Sequence, residues 1–257
     1  MAPRSRIALL ALVAATAADG VPARLRGAAV ELGGKMECGD KVGLCGVIAV
    51  SSGLGGGNYK HDTPSVHGLW PEVGSYGNSQ CIKPTGSTAD PTGVVSCYKD
   101  TGGEESHIVQ FEQHEWDKHG QCAGAVDATG FLTTVCDLAA KPLAIMAATR
   151  TAGGDLTAMG AAISKAGYEI FSTDPANSQL MLSACASSDK TWKLALVADF
   201  PTACGDWPAD AIPTRNDTGS CAPAVRGPAC EADADCASSP GCKRCASSGY
   251  CTDIVVA

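Results

Sequence analysis

Fourteen cysteines in a chain of 257 residues constrain this fold more than any other feature. They follow an N-terminal stretch in which Arg4 and Arg6 precede an apolar run, Ile7 to Ala15, and a small-residue step, Ala15-Thr16-Ala17. That order is the pattern of a secretory signal peptide, assigned here to residues 1–18, and its apolar run is too short to span a bilayer. An exported chain meets an oxidising compartment, so its cysteines are expected in disulfides rather than in metal sites. Eight of them (Cys38, Cys45, Cys81, Cys97, Cys122, Cys136, Cys185, Cys204) belong to a main domain, and six (Cys221, Cys230, Cys236, Cys242, Cys245, Cys251) crowd the C-terminal part. Spacing alone leaves the connectivity open. Cys242-Lys243-Arg244-Cys245 has the form of a redox pair or of half a zinc site; in that compartment it reads as part of a structural disulfide module.

The organisation follows. Residues 19–35, with Arg24, Arg26 and no periodic pattern, read as a disordered or removed segment. Residues 36–221 form the main domain and residues 222–257 a cysteine-rich tail. With 45% hydrophobic residues the chain can bury one substantial core. Beyond the signal run no stretch is expected to cross a membrane. Val42 to Ser51 alternates weakly as a first strand, and the glycines at 53, 55, 56 and 57 mark a flexible loop; without a following Lys-Ser/Thr it lacks the mark of a phosphate cradle. Residues 83–106 read as loop. A helix is expected over Phe131 to Thr149, interrupted near Pro142, and another over Leu156 to Ala166. Strands are expected at Tyr168–Ser172, Gln179–Ala186 and Trp192–Phe200, with Ser187 to Lys190 as a turn. The mixture predicts an α+β fold, an antiparallel sheet packed with helices and pinned by disulfides.

Two short stretches carry the chemistry. His114-Glu115-Trp116-Asp117-Lys118-His119-Gly120-Gln121-Cys122 places two imidazoles, a carboxylate and an ammonium together. Glu112 and Gln113 before it and Gly120 after it predict a short helix ending at a glycine cap. On a helix Glu115 lies over His119, and His114 over Lys118. The two histidines are five apart, roughly 140° around the axis at about 100° per residue. A zinc-protease helix needs both ligands on one face, so acid–base chemistry fits better than a metal clip. The second stretch, His67-Gly68-Leu69-Trp70-Pro71, adds a third imidazole.

In this order and about fifty residues apart, the two stretches resemble the active-site segments of the T2 ribonucleases, secreted acid endoribonucleases. The second matches as His-Glu-Trp-x-Lys-His-Gly-x-Cys, with Gln121 where that family has a small hydroxyl residue. An aromatic-rich strand with its own Trp-Pro, usual in the family before the first segment, is absent. The resemblance implies that His119 is the general base and His67 the general acid. It implies that His114 binds phosphate, and that Glu115 and Lys118 support the transition state. It also implies a Cys81–Cys122 disulfide joining the two halves of the site, and base contacts near Glu72 and Tyr76. Trp70 reads as a core tryptophan or as a base-stacking platform.

The chemistry so implied needs no metal or cofactor. The 2′-hydroxyl of RNA is an internal nucleophile, and two imidazoles can be its base and the acid for the departing 5′-oxygen. The partner would be single-stranded RNA, acted on by a monomer that is secreted or held in a vacuolar or lysosomal lumen. A net charge of −8 is an odd balance for such a partner, so RNA would have to be gripped by a local site or at low pH. Asn216-Asp217-Thr218 is a glycosylation sequon on a Pro- and Gly-rich loop, and the tail could contact a cell-wall glycan. His61 and His107 receive no role. The rival reading is a secreted disulfide-rich binding protein of the same fold that has lost activity. A metal-dependent hydrolase stands third.

Overall fold

A computed structural model describes residues 36, 38–71, 90–101, 103–209, 233–237, 244–245 and 251–252. The signal run, residues 19–35, Glu72, Tyr76, Cys81 and Asn216 lie outside the described residues. Among the described residues the fold is α+β: a main antiparallel sheet of five strands with four helices.

Two strands buried along their whole length form its centre, β1 (Leu44–Ser51) and β4 (Gln179–Ala186), paired antiparallel from Leu44↔Ala186 to Ser51↔Gln179. On the far side of β1 lies β2 (Ser65–Pro71). The outer edge of β4 is shared: β3 (Ile170–Asp174) pairs with one half and β5 (Trp192–Leu194) with the other. Alternation along β1 is weak because both sheet faces are covered. Leu44, Ile48 and Val50 face one core with Leu180 and Leu182, while Cys45, Val47 and Ala49 face a second with Met181, Cys185 and Phe200.

Helices cover the first face. They are α1 (Glu105–Lys118), α2 (Ala128–Thr151) and α3 (Leu156–Lys165); a short α4 (Phe200–Cys204) closes the other. Asp127 caps α2 by accepting from Gly130 N at 2.7 Å, and Asp155 caps α3 by accepting from Ala158 N at 2.9 Å, satisfying N–H groups that a helix start leaves open. Three disulfides join pairs of described residues and tie elements together: Cys38–Cys45, Cys97–Cys136 and Cys185–Cys204. The second fastens the 3₁₀ turn Ser96–Thr101 to α2, which fixes one wall of the site described below. In the tail, a 3₁₀ turn (Asp233–Cys236) and two paired two-residue strands, β6 (Arg244–Cys245) and β7 (Cys251–Thr252), are described.

Several expectations are corrected. The helix around Pro142 is not interrupted: α2 runs unbroken for 24 residues with Pro142 buried inside it. An interior proline costs about 3 kcal/mol, which the burial of Phe131, Leu132, Val135 and Met146 outweighs at roughly 1.5–3 kcal/mol each. Against the expectation that no stretch beyond the signal run is fit to cross a membrane, α2 is long and apolar enough by length and composition, with a mean hydropathy of 1.4 in its best window. Its length and hydropathy come from an alanine-rich core helix, whose Phe131–Val135–Ala139–Met146 side packs into the core. The expected strand over Trp192–Phe200 stops at Leu194, and the chain turns through Val197–Asp199 into α4, with Pro201 in its first turn. Finally, α1 begins at Glu105, inside the expected loop, and Gly120 is no left-handed cap. The chain passes instead into a 3₁₀ turn, Gly120–Cys122, where a Cβ on Gly120 would strike the rings of Trp116 and Phe131. Gly120 is required for packing.

Candidate active site

The Glu115 side chain, on the last turn of α1, reaches across to strand β2. The closest approach is at Gly68, where a Cβ would run into the Glu115 carboxylate. This explains the glycine after His67: only a bare backbone lets a helix carboxylate come so near the strand. Glu115 is buried, and its Oε2 accepts from Trp70 Nε1 at 3.0 Å. Its Oε1 makes an ion-pair contact with His67 Nε2 at 3.4 Å, too long for a good hydrogen bond. Burial pushes the Glu115 pKa up, but the His67 hydrogen-bonding contact, the charges of His67 and His119, and the Trp70 N–H together outweigh it and hold the group below its ordinary value. It is a carboxylate.

His119 sits just past the helix end, its N–H bonded to the Glu115 carbonyl at 2.9 Å. Its ring is only 4% exposed and stacks on the Trp70 indole, with centroids 5.4 Å apart and planes 29° apart. Burial lowers its pKa to about 4; Glu115 pulls it back, and the charges of Lys118, His67 and His114 lower it further. At pH 5 this imidazole is neutral, with a lone pair to accept a proton.

His67 is partly exposed. Its Nδ1 lies 2.6 Å from Gln179 Nε2, an amide that also donates to Ser51 Oγ at 3.1 Å. With Gln179 as donor, the ring proton of neutral His67 sits on Nε2, facing Glu115. Below, the Tyr98 hydroxyl donates to the His67 carbonyl at 3.2 Å. Around the ring stand Trp70 edge-on at 4.9 Å, Phe111 at 5.2 Å and Tyr59 at 5.9 Å.

The structure thus brings together His67, Trp70, Glu115 and His119, with His114 on the wall of the cleft into which His67 opens. The predicted helix arrangement holds: Glu115 and His119 turn inward, while His114 and Lys118 are exposed. Lys118 makes no ion pair among the described residues; its effect on the site is the long-range push on His119. Trp70 belongs to the site and is half-buried, holding Glu115 with its N–H and His119 with its face. Cys122 is disulfide-bonded, and its expected partner Cys81 lies outside the described residues. Glu72 and Tyr76 do likewise, so the base contacts implied there are not described. Among the described residues no group of three or more His, Cys, Asp or Glu side chains is placed to hold a metal ion.

A cleft of about 930 Å³ opens beside His67, and four of the five histidines line it: His61, His67, His107 and His114. The glycine-rich loop forms part of its wall. It folds back on itself through Gly55 N→Tyr59 O and His61 N→Gly53 O, with Gly53 at φ +74° wedged against His61, Thr63 and Arg150. Gln179, Tyr98, Tyr59 and Phe111 were not found from sequence. Gln179 is 112 residues from His67, and only the three-strand register that sets Ser65, Ser51 and Gln179 side by side places it there. His61 and His107 carried a signal, the scarcity of histidine in this chain. No protein-family model matches the chain, and no curated protein or solved structure matches it.

Proposed function

We propose that this chain is a metal-independent endoribonuclease of T2 type, exported to the cell exterior or to a vacuolar or lysosomal lumen, which cleaves single-stranded RNA to 2′,3′-cyclic phosphate and 5′-hydroxyl ends. One observation carries the reading. A strand histidine and a helix-end histidine flank one buried carboxylate, and burial against Trp70 keeps the second ring neutral in mild acid. Neutral His119 would take the proton of the 2′-hydroxyl as that oxygen attacks phosphorus. Protonated His67 would give its proton to the 5′-oxygen as the P–O bond breaks. Glu115, ion-paired with His67, would hold that ring and steady its cationic form. His114, exposed on the cleft wall, and Lys118 on the last turn would supply positive charge to the phosphate oxygens. The negative net charge gives no general hold on RNA, so the cleft must supply one.

The test is to incubate the purified protein with RNA at pH 5 in excess chelator and analyse the ends. Cyclic phosphate and 5′-hydroxyl termini are expected. RNA bound but left intact would favour the silent binding protein, and cleavage abolished by the chelator would favour a metal hydrolase.

A further inference from the structure

Resting on that reading, we propose that the active site continues on its leaving-group side into a second phosphate subsite formed by Lys60, Lys99 and His107, which favours RNA extended 3′ of the cleaved bond. The cleft sets the direction. It is lined by His67, the group assigned to the departing 5′-oxygen, and not by His119, the group assigned to the 2′-hydroxyl. Its volume of about 930 Å³ lies near the top of the roughly 300–1,000 Å³ that hold a whole drug-sized ligand, more than one reacting phosphate needs.

Helix α1 gives the subsite its rhythm. His107, Phe111 and His114 all line the cleft at i, i+4 and i+7, one face of the helix, so the outer histidine stands about 10.5 Å along the axis from the inner one. Two imidazoles with an aromatic ring between them match phosphate, base, phosphate along a single strand, the combination of cationic groove and stacking ring that such strands favour. Lys99, from the 3₁₀ turn that Cys97–Cys136 fastens to α2, and Lys60, at the foot of the glycine-rich loop, bring two ammonium groups to the same cleft. Asp62 is the one carboxylate among the described residues lining it. A chain with a net charge of −8 has therefore gathered cationic side chains at one place.

The experiment compares three substrates with the same scissile bond: a dinucleoside monophosphate, the same with one nucleotide added 3′, and the same with one added 5′. For the natural chain, kcat/KM should rise about tenfold with the 3′ addition, the worth of one charge-assisted phosphate contact. Lys60, Lys99 and His107 are exposed, so the combined variant Lys60→Gln/Lys99→Gln/His107→Gln should keep its melting temperature and its rate on the dinucleoside. It should lose the gain from the 3′ nucleotide. A gain that survives in the variant, or one that follows the 5′ addition, overturns the subsite. Should the natural chain cleave none of the three, the ribonuclease reading falls separately, and binding decides the subsite. With a labelled DNA oligonucleotide, which lacks the 2′-hydroxyl, the slope of log affinity against log salt should flatten in the variant by about 0.7 per lost contact; equal slopes reject it.

Discussion

His119 shows how one environment sets a task. Desolvation against Trp70 and the helix end costs the charged ring more than Glu115 returns, so its pKa of about 4 keeps the ring neutral through the mildly acid range. Since a base must be unprotonated, the acid limb of the pH profile of kcat/KM should fall near 4 rather than near the ordinary 6.5. A limb near 6.5 would show that His119 is not the base. Replacing it, His119→Ala should lower turnover by about 10²–10⁴-fold while the fold survives; near-normal rates would remove it from the mechanism. On the proposed mechanism Gln179 would be a positioning residue of a different kind, because among the described residues its side-chain amide hydrogen-bonds His67 and Ser51 and no reacting atom. Gln179→Leu removes the N–H that holds Nδ1 of neutral His67 as an acceptor. The ring nitrogen shifts of His67 should then report a mixture of tautomers, and kcat should fall with KM little changed. An unchanged tautomer signature would mean that Glu115 orients the ring without help.

Helix α1 shows what a sequence reveals at the scale of an element and what it hides. Its buried face is Ile108, Glu112, Glu115 and Trp116, a proper helical spacing, yet two of the four are glutamates. Apolar periodicity is therefore weak, which is why only the last turns were legible, through their chemistry, while Glu105 and Ser106 read as loop and the residues up to Phe111 gave no helix signal. Strands β1 and β4 were legible because their hydrophobic runs are long, and α3 because its apolar face is unbroken by charge. The contact between α1 and β2 could not be read, since a glycine signals closeness without naming its neighbour. Gly68→Ala tests that contact. Its methyl group would meet the Glu115 carboxylate, so stability should drop by about 1–3 kcal/mol and turnover should fall with it. Glu115→Asp alone also weakens the site, but in the double variant the shorter carboxylate makes room. Chemical denaturation of the four proteins should show the double variant more stable than the two single losses add up to. Strict additivity would mean the strand and helix shift apart without cost.

For the whole molecule the question is how its buried ionisable groups make stability depend on pH. His119 is depressed on folding, so between pH 6.5 and about 4 the unfolded chain takes a proton that the folded chain refuses, and stability falls by about 3 kcal/mol across that window. Glu115, also depressed, holds its contribution above the ordinary carboxylate value of 4.5 and loses it as pH falls below that. Glu112 runs the other way. It is fully buried, its Oε1 accepts from Val95 N at 2.6 Å, its Oε2 has no hydrogen-bond partner among the described residues, and burial raises its pKa even against the Val95 bond. A raised carboxyl destabilises the folded chain at pH 7, and that cost disappears as pH falls from the folded pKa to 4.5, offsetting part of the loss at His119. Glu112→Gln keeps the acceptor for Val95 and abolishes the charge. Its melting temperature should exceed that of the natural chain at pH 7, and the gap should close by pH 4.5. A gap that is constant with pH would show that Glu112 is neutral throughout. A variant less stable at pH 7 would show that its carboxylate is held by a charge on another part of the fold.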